Sequence, residues 1–210
     1  MKPAVAPEKM TRPPEGSLMS DPLLKQFAYY TSQMKAFKPH DWTYYVAWVG
    51  LMLGLLVSTS GFLLWGWAHG IHYPSYVWNI PLGTATFVGA IALDTIGHRT
   101  LYAVHLEEGE GFVHEITIAL GISSIVVLCF GYSHADFCRI PALVLIAMTI
   151  FYSVVDEWMH WRRYLSGHSG RVEMWSHVFI FLGHIIMSLS WWHWFEEGYP
   201  GVVETLRSLH

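Results

Sequence analysis

A chain of 210 residues that is 53% hydrophobic and only 13% charged falls well short of the roughly 25% charged residues of soluble domains, which excludes an ordinary water-soluble core and points to an integral membrane protein. A formal charge of −4 gives no basic surface for nucleic acid, and two cysteines, Cys129 and Cys138, are too few for a disulfide framework or a thiolate cluster. The unusual counts are thirteen histidines and eleven tryptophans: tryptophan belongs at membrane interfaces, whereas imidazole in lipid is costly and usually functional.

In chain order, residues 1–42 read as an N-terminal tail. Its first forty residues are polar, with Pro3, Pro7, Pro13, Pro14 and six lysines or arginines. No apolar run follows closely enough for a cleaved signal peptide. Residues 22–38 mix apolar and basic types and suit either a helix on the membrane surface or a plain solvated one. Residues 43–195 read as a transmembrane domain of five spans, each near the roughly 20 residues that crossing requires. The first covers about 43–68, with Trp65 and Trp67 at its far interface. A loop without lysine or arginine, 69–79, leads to span two, which starts at Ile80-Pro81 and is expected to run to about His105. An acidic turn holds Glu107, Glu108, Gly109 and Gly111. Span three covers about 112–132, and Pro141 is expected to open span four, about 140–161. A basic loop, 162–172, precedes span five, about 173–195. Residues 196–210 form a polar tail.

Ten of the twelve basic residues fall on the side of the N-terminus: six in the tail, then Arg99, Arg162, Arg163 and Arg171. Only Arg139 and Arg207 fall on the other side. The positive-inside rule therefore makes the N-terminal side cytoplasmic.

Within the spans one constellation occurs twice. Asp94, His98, His105, Glu110 and His114 match Asp156, His160, His168, Glu173 and His177, with an offset of 62 for the first two pairs and 63 for the rest. Ile118-Ala119-Leu120-Gly121 likewise matches Ile180-Phe181-Leu182-Gly183. An internal repeat is the strongest organising signal a sequence offers. The expectation is an all-α membrane protein in which spans two to five form a duplicated helical hairpin, 80–132 and 141–195, closing into a four-helix metal-binding bundle at the cytoplasmic side.

Helical spacing gives that repeat its chemistry. Residues four or seven apart share a face, so Asp94, His98 and His105 form one stripe if the helix reaches His105. Asp156 and His160 form another, as do Glu110 with His114 and Glu173 with His177. Four helices presenting imidazoles and carboxylates inward is the scheme by which bundles hold dinuclear sites. Such donors suit iron, copper or zinc, and iron–sulfur chemistry lacks its thiolates. Asp94, Asp156, Glu110 and Glu173 are expected to ligate, to bridge, or to orient histidines through the second ring nitrogen. Glu157 has the Glu-x-x-His spacing to His160, but Thr95 stands at the matching place in the first copy, so Asp156 is preferred. His184 has no counterpart and lies two turns deeper than His177, about 10 Å along the helix, as an extra cofactor ligand or a substrate-side group. His69, His72, His134 and His193, at the opposite side, read as structural hydrogen-bonding groups.

The cytoplasmic, histidine-rich, multi-span layout resembles the membrane fatty-acid desaturase and alkane hydroxylase group, though without its His-x-x-His-His boxes; that resemblance implies two irons activating O2. Val155-Asp156-Glu157-Trp158-Met159-His160-Trp161 is similar to the Asn-Glu-x-x-His segment in the C subunit of copper membrane monooxygenases, which implies copper held by Asp156, His160 and His177.

The function expected from the sequence is an oxidoreductase with two non-haem metal ions, iron preferred and copper or zinc as alternatives, hydroxylating or desaturating an apolar, lipid-borne substrate. Without a dinucleotide fingerprint, electrons come from a separate donor. Two alternatives stand beside it: a haem- or bacteriochlorophyll-binding, non-catalytic membrane subunit, and a metal transport or assembly factor.

Overall fold

The computed structural model describes residues 21–101, 109–166 and 169–210, and every regular element among them is helical. A short helix α1, Leu23–Ser32, leads through a 3-10 turn, Gln33–Ala36, into α2, Pro39–Ala68. After a second 3-10 turn, Ser75–Trp78, come α3, Asn79–Arg99, and α4, Glu110–Gly131. Helices α5, Ala135–Leu165, and α6, Arg171–Glu196, follow, and α7, Val202–Ser208, ends the chain. Five of these helices are long and apolar enough to cross a membrane. Their outward faces carry large apolar side chains such as Val46, Leu51, Phe130, Phe151 and Phe179, as a lipid solvent requires.

Two boundaries differ from the sequence expectation. Helix α3 ends at Arg99, where Thr100 leaves helical geometry; His105, expected on the Asp94–His98 stripe, lies outside the described residues. Helix α5 starts at Ala135, which puts Pro141 inside it. Proline there removes one bond to the Phe137 carbonyl, at a point within two turns of the helix start. Within residues 22–38, α1 packs on α3 and α6 and leaves Leu23, Leu24 and Phe27 exposed. Tyr30 is buried with Ile96 and Val172 in a small apolar cluster, and Arg171 donates to the Asp21 carbonyl at 2.5 Å.

The helices pair in a crossed order. Helix α3 packs along α6, and α4 along α5, while α2 leans on α3 and α7. The α3–α6 crossing is tight because both partners are glycine at the contact. A Cβ on Gly83 would stand 2.7 Å from the Gly183 carbonyl oxygen, and a Cβ on Gly183 would stand 2.7 Å from the Phe87 amide nitrogen. Small residues that let backbones meet are the usual cement of helices in lipid.

At the end away from the repeat, Leu63, Val77, Ile80, Leu128, Trp191 and Phe195 form the main apolar core with their neighbours. Tyr199, in the left-handed region at φ 57°, is fixed by its hydroxyl, which donates to the Leu128 carbonyl. The expected polar tail therefore folds back: Thr205 of α7 is fully buried and hydrogen-bonds Tyr73.

Candidate metal centre

Eight of the ten repeated residues lie in the described structure, two on each of α3, α4, α5 and α6. They converge at one level near the Arg99 end of α3. His105 and His168 lie outside the described residues.

Two aspartates sit at the middle of the cluster, each between two histidines. Asp94 Oδ1 stands 3.3 Å from Nε2 of His98, its own i+4 neighbour, and 2.9 Å from Nε2 of His177 on α6. Asp156 stands 3.6 Å from Nε2 of His160, its own i+4 neighbour, and 3.3 Å from Nδ1 of His114 on α4. The four imidazoles form a compact set: the His98 and His114 ring centres are 5.1 Å apart, and those of His160 and His177 are 3.3 Å apart and stacked. Glu157, on the edge of the cluster, comes within 3.7 Å of His177 Nδ1 on α6.

The polar atoms here are close without being aligned. Asp94 Oδ1, His98 Nε2, Asp156 Oδ1, His160 Nε2 and both ring nitrogens of His177 are buried and lack a hydrogen bond of acceptable geometry. Buried polar atoms are nearly always satisfied, and a knot of exceptions requires an explanation. Three sets can each bring their donor atoms within 4.8 Å of one another: Asp94, His98 and His114; His114, Asp156 and His160; His98, His160 and His177. A cation held by one of these sets would take lone pairs from three of the donors at once.

Glu110 and Glu173 belong to a second layer. Both are 1% exposed and both accept from Arg163, which is itself 2% exposed at its side chain. The same guanidinium donates to His160 Nδ1 at 2.8 Å. Each glutamate also has an oxygen 3.6 Å from that ring nitrogen. Arg163 is the site residue that sequence reasoning missed, having counted only toward membrane orientation. Its signal was its place three residues after His160, on the same helical face.

An elongated cavity of about 310 Å³ begins at Asp94, His114 and Asp156 and runs along α4 as far as Phe130, about 24 Å by helical rise. Its walls are otherwise almost wholly apolar, built from α2, α3, α4 and α6 side chains such as Trp48, Met52, Phe87, Ile122 and Ile180. His184 lines it and lies outside the metal-capable sets. At the other end of the molecule, His69, His72, His134 and His193 are exposed; His69, His134 and His193 contact Trp65, Ser133 and Glu197 respectively.

The arrangement supplies a buried, anionic, imidazole-rich pocket: five carboxylates, counting Glu157 at the edge, stand with a single guanidinium among the described residues. No protein-family model matches the chain, and no curated protein or solved structure matches it.

Proposed function

We propose that the protein is a membrane-bound, metal-dependent oxidoreductase whose dinuclear non-haem centre uses O2 to hydroxylate or desaturate an apolar, lipid-borne substrate. The observation that carries this reading is the meeting of four histidines and two aspartates, with orphaned donor atoms, at the head of an apolar cavity. In this reading His98, His114, His160, His177, Asp94 and Asp156 hold the metals. A duplicated hairpin, 80–132 and 141–195, would then account for the crossed pairing, in which each aspartate meets its own-helix histidine and the last histidine of the other copy.

Glu110 and Glu173 act one layer out. A ligating histidine normally gives its other N–H to a carboxylate, which fixes the ring and raises its basicity. His160 Nδ1 accepts from Arg163 in this structure; with His160 bound through Nε2 that nitrogen would carry the ring proton and turn to the glutamates, both 3.6 Å away, which Arg163 holds in place. The bound metals supply Lewis acidity and the site of O2 reduction; the chain supplies an apolar, water-poor approach for the substrate. Two electrons per hydroxylation come from a separate donor, since the sequence carries no dinucleotide fingerprint. Iron is preferred for its fit to mixed imidazole and carboxylate donors. The haem alternative is disfavoured because the aspartates stand between the imidazoles, where a macrocycle would have to lie. With a cytoplasmic N-terminus, the centre faces the cytoplasm.

The test is reaction with O2. Purified protein loaded anaerobically with Fe(II) should consume O2 on mixing, with two Fe(II) oxidised per O2, followed by Mössbauer spectroscopy. Protein that binds no iron, or whose bound Fe(II) is inert to O2, contradicts the proposal.

A further inference from the structure

We infer that the cavity is a binding site for a chain-like, uncharged molecule bearing one hydroxyl group, and that His184 binds that hydroxyl. The starting observation is an orphan. His184 is 4% exposed, its Nε2 contacts Ser188 Oγ at 3.1 Å, and its Nδ1 has no hydrogen-bond partner. It is the orphaned group among the cavity-lining residues that lies away from the aspartate–histidine cluster. The hydroxyls of Thr117 and Thr149, which also line the space, are already bonded to the carbonyls of Val113 and Leu145 within their own helices.

The shape of the space selects the ligand. Its volume is at the lower end of small-molecule sites, roughly 300–1,000 Å³, but it is drawn out along four turns of α4, which suits an extended hydrocarbon chain. Among the described residues the walls offer no lysine or arginine for an anionic headgroup, and the carboxylates of Asp94 and Asp156 at the head are taken up by histidines, so a neutral ligand fits best. Imidazole presents either N–H or a lone pair at Nδ1, according to which way the Ser188 hydroxyl points. A hydroxyl both donates and accepts, and so matches either state, whereas a carbonyl matches one. Entry is from the lipid, through the gap between α2 and α4, whose facing side chains line the cavity while α2 makes its main contacts with α3 and α7.

The level of His184 sets the geometry. A Cβ on Gly121 would stand 3.6 Å from His184 Nε2, so the ring faces α4 two turns below His114, about 10 Å along the axis. That distance is roughly eight carbons of an extended chain, given C–C bonds of about 1.5 Å. A hydroxyl at His184 therefore presents carbon about eight bonds away to Asp94, His114 and Asp156. The inference relies on the metal reading only for what that far end meets; binding itself does not require a metal.

The test is photolabelling of the full-length protein in nanodiscs with octan-1-ol carrying a diazirine at its terminal carbon. Label should fall on α4 between His114 and Gly121, and excess octan-1-ol should compete while octane does not. His184→Leu should lower labelling about tenfold with metal content unchanged, and His184→Gln should restore most of it. Gly121→Leu, which fills the cavity from the opposite wall, should abolish it. Undiminished labelling in His184→Leu and Gly121→Leu, label outside the cavity, or equal competition by octane overturns the inference. Correct labelling in a protein that binds no metal would leave this site standing and remove the metal reading alone.

Discussion

Replacing Arg163 by leucine removes the guanidinium that contacts two carboxylates, each 1% exposed. Burying a charge without its partner is far more costly than the pair was worth, and breaking a buried pair from one side typically costs about 3–5 kcal/mol. Here two acceptors, Glu110 and Glu173, and the His160 ring all lose the same donor, so the upper part of that range applies. For a chain of this length each kcal/mol moves the unfolding midpoint by about 2–4 °C, which predicts a drop on the order of 10–20 °C for Arg163→Leu in detergent. Adding Glu110→Gln and Glu173→Gln removes the stranded charges and should recover most of the loss, because the three residues form one coupled unit. Thermal unfolding followed by tryptophan fluorescence measures both variants. A single variant that unfolds within about 2 °C of the parent, or a triple variant less stable than Arg163→Leu, refutes the assignment of Arg163 as the clamp of the outer carboxylates.

The α3–α6 crossing predicts that Gly183→Ala costs about 1–3 kcal/mol by overpacking against backbone, whereas Gly121→Ala, with only ordinary contacts nearby, stays within about 0.5 kcal/mol; unfolding midpoints distinguish them. With Cys129 and Cys138 replaced by serine, cysteine at Ser166 should react with impermeant reagent only from the cytoplasmic side, and cysteine at Ser75 only from the other; the reverse pattern overturns the orientation. Chelation should lower the unfolding midpoint, because a metal that binds only the folded state stabilises it by mass action; a midpoint indifferent to chelator and to added Fe(II) argues against a bound metal.

Much of the site was legible because metal-ligand types leave a signal that packing alone does not. Asp94 with His98, and Asp156 with His160, follow from i, i+4 spacing on one helix, and the repeat signalled that the two pairs belong together. What spacing does not encode is the partner across helices. That Asp94 meets His177 and Asp156 meets His114 depends on the crossed pairing of α3 with α6 and α4 with α5, which no local rule supplies. Arg163 was hidden for a related reason: a basic residue at a span end is ordinarily an interfacial charge, and only the approach of Glu110 and Glu173 makes it a buried clamp. The repeated glycines also diverge. Gly183 meets Gly83 at a helix crossing, while Gly121 faces the cavity, so one sequence signal serves two physical purposes. The boundary at Arg99 was missed because apolar residues continue beyond it and carry no stop signal.

Metal content tests the central claim most directly. Elemental analysis of the purified protein, the His98→Ala and His160→Ala variants and the far-side control His193→Ala should find about two metal equivalents in the parent and the control, and a large loss in each cluster variant. Equal metal content in all four proteins, or none in the parent after reconstitution with iron, copper or zinc, would contradict the account.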